Sequence, residues 1–137
     1  MKLDALLQAA LAELHPMARV SSALSELVPE MEIHLLAIGK AAPAMARGAH
    51  LAWESHIMRT LVVTSDDTDE CGMIEVLRAG HPVPDERSVY AAQQCLEFAA
   101  RAPSLLVCIS GGASSLVCAP SEGVTLEMKQ AVTRTLL

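Results

Sequence analysis

The stretch Ser104-Leu105-Leu106-Val107-Cys108-Ile109 runs without a break into Ser110-Gly111-Gly112-Ala113-Ser114-Ser115-Leu116. A short apolar run that ends on paired glycines reads as a buried strand entering a tight turn. The same pattern stands upstream. Ile33-His34-Leu35-Leu36-Ala37-Ile38 is a second buried run, broken by Gly39, after which Ala42, Met45, Ala46, Ala49 and Trp53 recur at helical spacing. Pro43 falls early in that helix, where a missing N–H is tolerated.

Working outward, Thr60–Thr64 is a β-branched strand, followed by an acidic loop from Ser65 to Glu70. Glu75–Ala79 is a weaker strand closed by Gly80. Pro82 and Pro84 hold an extended turn, and Asp85 is placed to cap a helix striped by Val89, Ala92, Leu96 and Ala99 that ends near Arg101. Toward the N-terminus, Leu3, Leu6, Leu7, Ala10, Leu11 and Leu14 form an amphipathic helix ending near His15, and Pro16 opens another that runs to about Val28. A last helix starts near Thr125 and is still running at Leu137. It ends on Thr135-Leu136-Leu137 with no glycine or polar cap, which predicts an incomplete domain. Strands alternating with helices predict an α/β fold with a mainly parallel sheet covered on both faces.

Composition narrows the function. Hydrophobic residues make up 52%, which excludes a disordered tail, and aromatics only 2%, so the core is aliphatic. A net charge of −6 without a Lys/Arg cluster argues against a nucleic-acid partner. No apolar run approaches membrane-spanning length, and Asp4, Gln8 and Glu13 interrupt any signal-peptide run, so no membrane partner and a cytoplasmic location are expected. Cys71, Cys95, Cys108 and Cys118 share no C-x-x-C spacing and are expected to be reduced thiols, with Cys108 and Cys118 packed among apolar residues.

In an open α/β sheet, ligands bind beyond the carboxyl ends of the strands. Two turns fall there. Lys40 opens a helix, where the dipole disfavours a cation unless an anion sits between lysine and backbone N–H groups. An anion-binding lysine and one pointing into water are both open readings. A P-loop is excluded, because His34 and Ala41 stand where it needs glycine and Ser or Thr. In the second turn, Gly111 and Gly112 permit close backbone approach, and Ser110, Ser114 and Ser115 offer hydroxyls to phosphate or carboxylate oxygens. The plainer alternative is a turn whose serines cap a helix. Neither the dinucleotide fingerprint G-x-G-x-x-G nor the hydrolase elbow G-x-S-x-G fits it. His81, beside the two-proline turn, is a candidate proton carrier or donor, whereas Asp85 reads as a cap rather than a base. Asp66, Asp67, Asp69 and Glu70 read as a solvated turn rather than a metal site, and His15, His34, His50 and His56 as structural or surface residues.

Taken in order, Gly39-Lys40-Ala41-Ala42 with Met45-Ala46, Ala79-Gly80-His81-Pro82-Val83-Pro84-Asp85-Glu86, and Ile109 through Leu116 followed by Pro120 and Gly123 resemble the glycerate 2-kinase family with a C-terminal MOFRL domain. The resemblance implies a Rossmann-like three-layer α/β/α domain, with residues 1–137 its N-terminal portion, facing a smaller second domain across the active site. It also implies transfer of the γ-phosphoryl of ATP to the 2-hydroxyl of glycerate with Mg²⁺. Lys40 then corresponds to the catalytic lysine, and Gly39, Ser110, Gly111, Gly112, Ser114, Ser115 and His81 to the substrate and phosphate site; metal ligands and the general base stay unassigned. Many relatives carry a third glycine where Ala113 stands. Because the family continues with a further segment and the second domain, the 137-residue chain alone is expected to be inactive. Two rivals are a hydroxypyruvate reductase-type oxidoreductase, which needs a nicotinamide site, and a non-catalytic stand-alone module that folds alone or pairs with itself as a homo-oligomer through an unfinished, apolar sheet edge.

Overall fold

The computed structural model describes residues 3–65 and 75–137. Asp66, Asp67, Asp69, Glu70 and Cys71, and with them most of the acidic loop, lie outside the described residues. The elements are α1 (Leu3–Glu13), α2 (Pro16–Ser25), β1 (Ile33–Ile38), α3 (Ala42–Trp53), β2 (Ile57–Thr64), β3 (Glu75–Arg78), α4 (Glu86–Ala100), β4 (Leu105–Ile109), α5 (Ala113–Leu116) and α6 (Leu126–Leu136). The four strands form one parallel sheet in the order β3-β2-β1-β4. The α/β expectation therefore holds.

Alternation along β1 divides the core. Ile33, Leu35 and Ala37 face α2 and α3, and Leu36 and Ile38 face α4 and α5. All six residues of β1 are buried, as a central parallel strand covered on both faces requires. The edge strand β4 is covered on one face. Leu106 and Cys108 pack toward α3, while Leu105, Val107 and Ile109 are 36%, 42% and 64% exposed and leave an apolar strip in solvent.

Several boundaries and faces differ from those expected. β2 begins at Ile57 rather than Thr60. Ile57 pairs with Ile33, and Arg59 extends the strand while its guanidinium lies 5.5 Å from the Phe98 ring centroid. The second helix stops at Ser25 instead of Val28, because the Trp53 indole N–H reaches across to the carbonyls of Leu24 and Leu27, each at 3.0 Å. The buried face of α4 is Ser88, Ala91, Ala92, Cys95 and Phe98, whereas Val89 and Leu96 are exposed. Small side chains at Ser88, Ala91, Ala92 and Cys95 let that stretch of α4 lie close to the sheet, while Phe98 fills the space near its end beside His34. In α1 the leucine stripe forms as a helix, but no residue of it is buried.

The approach of α2 to α3 depends on Gly48. A Cβ there would collide with the Met17 carbonyl oxygen and lie 3.0 Å from its carbon, both backbone atoms that cannot swing away. Alanine would add about 1 kcal/mol of helix propensity, yet overpacking costs about 1–3 kcal/mol. Gly48→Ala is therefore expected to destabilise the chain by up to about 2 kcal/mol, read as a lower urea midpoint. An unchanged or raised midpoint would show that α2 can retreat freely.

Candidate functional site

β1 and β4 are neighbours, yet the chain leaves β1 for α3 on one face and β4 for α5 on the other. This divergence is the topological switch point of a doubly wound sheet, where ligands bind. Both turns singled out in the sequence lie there.

The two turns are joined by hydrogen bonds. Lys40 N–H donates to the Gly111 carbonyl at 3.0 Å, Ala41 N–H to Ser110 Oγ at 3.0 Å, and Ser110 N–H to the Ile38 carbonyl at 2.9 Å. Gly39 makes the approach possible. Its φ is +122°, and a Cβ would lie 2.6 Å from the Ser110 carbonyl oxygen. This narrows the first of the two open readings of Lys40. Lys40 and Ala41 donate to the other turn, Ala42 N–H bonds the Gly39 carbonyl at 3.1 Å, and Pro43 has no N–H, so these amides at the start of α3 are not open to an anion.

Open amides lie in the second turn instead. Among the described residues, the N–H groups of Gly111, Gly112, Ala113 and Ser114 make no backbone hydrogen bond outside regular structure. Gly112 has φ +91°, and a Cβ on it would lie 2.9 Å and 3.1 Å from His81 Cδ2 and Nε2 and 3.4 Å from Lys40 Cε. A lysine, a histidine and a glycine-rich turn thus converge on one small volume. Lys40 and Ser114 are exposed and His81 half-buried, so all three are open to a ligand. Ser110 and Ser115 are engaged otherwise: Ser110 Oγ joins the turns, and Ser115 Oγ donates to the Gly112 carbonyl at 3.0 Å. Gly39 is buried and supports the site from below.

His81 is presented by a braced turn that includes a cis His81–Pro82 peptide. Gly80 N–H donates to Asp85 Oδ1 and Ser88 Oγ, each at 3.2 Å, and Asp85 Oδ1 also caps α4 by accepting from Ser88 N–H at 3.1 Å. Arg87 Nε donates to Asp85 Oδ2 at 2.8 Å. Gln130 of α6 donates to the Pro84 carbonyl at 2.9 Å. Partial burial raises the Asp85 pKa, but the Arg87 hydrogen bond and charge and the Ser88 and Gly80 amides outweigh it and hold the carboxyl below its ordinary range. Burial pushes Cys95 up to about 11 and raises Cys108 as well, so neither thiol is an activated nucleophile. Cys95, Cys108 and Cys118 are free and buried. Among the described residues, no three His, Cys, Asp or Glu side chains gather as metal ligands, and no helix is long and apolar enough to cross a membrane. The bracing roles of Ser110 and Ser88 were not legible in the sequence, because each hydroxyl bonds a backbone amide distant or turned back along the chain.

Geometry of this kind defines a doubly wound α/β protein with Lys40, His81 and the Gly111–Ser114 turn gathered at its switch point. A family model described as a domain of unknown function, DUF4147, matches residues 2–137, and the chain belongs to that family. The chain is similar to D-glycerate 2-kinase from Thermotoga maritima, 37% identical over 123 residues that make up 84% of this chain and 30% of that protein. It is also 40% identical over 135 residues to an Agrobacterium vitis protein provisionally named hydroxypyruvate reductase, covering 94% of this chain and 30% of that one. The crystal structure of the Thermotoga maritima glycerate kinase superposes with a TM-score of 0.85 at 33% identity, covering 94% of this chain and 32% of that one. The chain spans about a third of the length of these relatives.

The Asp85 network carries a pH signature. A depressed folded pKa adds stability that is complete above the unfolded carboxyl value and is lost as pH falls through the folded value. Asp85→Ala is expected to lower stability by about 1 kcal/mol at pH 7, with the deficit shrinking below about pH 4. Urea unfolding of both chains at pH 7 and pH 3 measures it; a deficit that is constant with pH would remove the carboxylate from the account.

Proposed function

We propose that this chain forms one wall of the active site of a glycerate 2-kinase, which transfers the γ-phosphoryl of ATP to the 2-hydroxyl of glycerate. The observation that carries the proposal is the placement of Lys40 beside the Gly111–Ser114 amides and His81 at the switch point. Both substrates are anions, and phosphoryl transfer depends on positioning them and neutralising charge on the transferred group. In a chain of net charge −6, binding two anions needs a local concentration of donors.

Each group has a role on this reading. Lys40 supplies the positive charge facing the transferred phosphoryl oxygens. The Gly111–Ser114 amides hold phosphate or carboxylate oxygens without a side chain in the way. His81 reaches the same volume, and an imidazole nitrogen within reach of the glycerate hydroxyl can take its proton as a general base. The hydroxyl oxygen then bonds the γ-phosphorus while the β,γ-bridging P–O bond breaks and ADP leaves. The Ser114 hydroxyl is a further donor. Ser110, Ser115 and Gly39 act by holding the turns.

Magnesium fits less directly. The described residues supply no cluster of ligand groups for it, and Mg²⁺ in kinases is held largely by phosphate oxygens with one or two carboxylates. Use of ATP goes with a cytoplasmic location for the enzyme.

A second reading is favoured by the Agrobacterium vitis relative's name, hydroxypyruvate reductase. It requires a nicotinamide dinucleotide, for which the first strand-to-helix turn has Gly39-Lys40-Ala41-Ala42 in place of the fingerprint. Calorimetry separates the two. ATP and glycerate are expected to bind the 137-residue chain, NADH not to bind, and Lys40→Met to weaken ATP at least about tenfold. NADH binding that competes with hydroxypyruvate, or ATP affinity indifferent to Lys40→Met, would overturn the kinase reading.

A further inference from the structure

We infer that Ser88 is a positioning residue for this site, setting the distance between His81 and the Gly112 turn although it touches neither. The inference rests on the reading of the crevice between them as the substrate site. Ser88 is fully buried in the first turn of α4. Its side chain and its carbonyl hold two different segments. Ser88 Oγ accepts from Gly80 N–H at 3.2 Å and from Asp85 N–H at 3.1 Å, fixing the turn that carries His81. The Ser88 carbonyl accepts from Cys118 N–H at 3.0 Å, fixing the chain just after α5, the short helix that Gly112 opens.

The two walls stand close. His81 Nε2 lies 3.1 Å from where a Gly112 Cβ would stand, and a Cβ on Gly80 would lie 2.7 Å from Asp85 Cγ and from the Val83 carbonyl oxygen, so the turn that carries His81 is tightly wound and the gap between the walls has no room for a side chain at position 112. A misplacement of about 1 Å is enough to cost on the order of a hundredfold in a reaction that depends on positioning. Asp85 Oδ1 shares the Gly80 N–H with Ser88 Oγ. Ser88 Oγ ties the His81 turn to α4, and the Ser88 carbonyl ties α4 to the other wall.

The test uses NMR signals of the whole 137-residue chain. Ser88→Ala removes Oγ but keeps the carbonyl bond to Cys118, so it is expected to shift the His81 ring signals while the Cys118 amide and the His50–Thr60 pair on the opposite face of the sheet, hydrogen-bonded at 2.8 Å, stay in place. Asp85→Ala, which removes the other acceptor of the Gly80 N–H, is expected to shift His81 as well. Ser88→Thr, which keeps the hydroxyl, should hold His81 near its wild-type position. Lower melting temperature with His81 unmoved, or equal movement at His50, would reduce Ser88 to general packing and overturn the inference. If Ser88→Ala does not fold, Asp85→Ala decides: an unmoved His81 removes the link through Gly80. Failure of ATP and glycerate to bind the wild-type chain would sink the kinase reading while leaving these shifts as they are.

Discussion

The structure turns on the hydrogen bonds that join the end of β1 to the end of β4. Parallel neighbours whose chains depart to opposite faces leave a gap at their carboxyl ends, with backbone groups that need partners. Here Lys40 N–H to Gly111, Ala41 N–H to Ser110 Oγ, and Ser110 N–H to Ile38 close that gap from both sides. The closure consumes the amides of Lys40 and Ala41 and leaves those of Gly111 through Ser114 without a backbone partner outside regular structure. It also fixes where Lys40 stands relative to them. Gly39 is the condition for all of this, since any side chain there would meet Ser110.

A second layer of bracing carries His81 to the same volume. α4 is the common support. Its first turn holds the Gly80–Asp85 turn through Asp85 and Ser88, and its carbonyl at Ser88 holds the chain leaving α5. The candidate site residues thus stand on turns, and those turns are tied to buried elements by groups set back from them. Rigid backing of surface loops is how a few exposed side chains are kept in a fixed arrangement.

Much of this was legible in the sequence, and the parts that were not share a cause. Ile33–Ile38 and the Gly-Gly turn stood out because apolar runs and glycines act locally. The face of α4 was misread from Val89 and Leu96, since close packing against the sheet selected Ser88, Ala91 and Cys95 for their size. The start of β2 was hidden by Arg59, a charged residue whose cation lies over the Phe98 ring. Lys40 and His81 were legible as candidates, but not their convergence on Gly112, which depends on contacts between segments about 30 and 70 residues apart. The motif resemblance supplied the family, and the DUF4147 match and the superposed glycerate kinase structure agree with it.

The most direct measurement is amide hydrogen exchange at the two turns, without and with ATP. The account predicts that Lys40 and Ala41 are protected in the free chain, that Gly111, Gly112, Ala113 and Ser114 exchange freely, and that ATP slows the second group. Free exchange at Lys40 and Ala41, or Gly111–Ser114 amides that are already protected or indifferent to ATP, would contradict it.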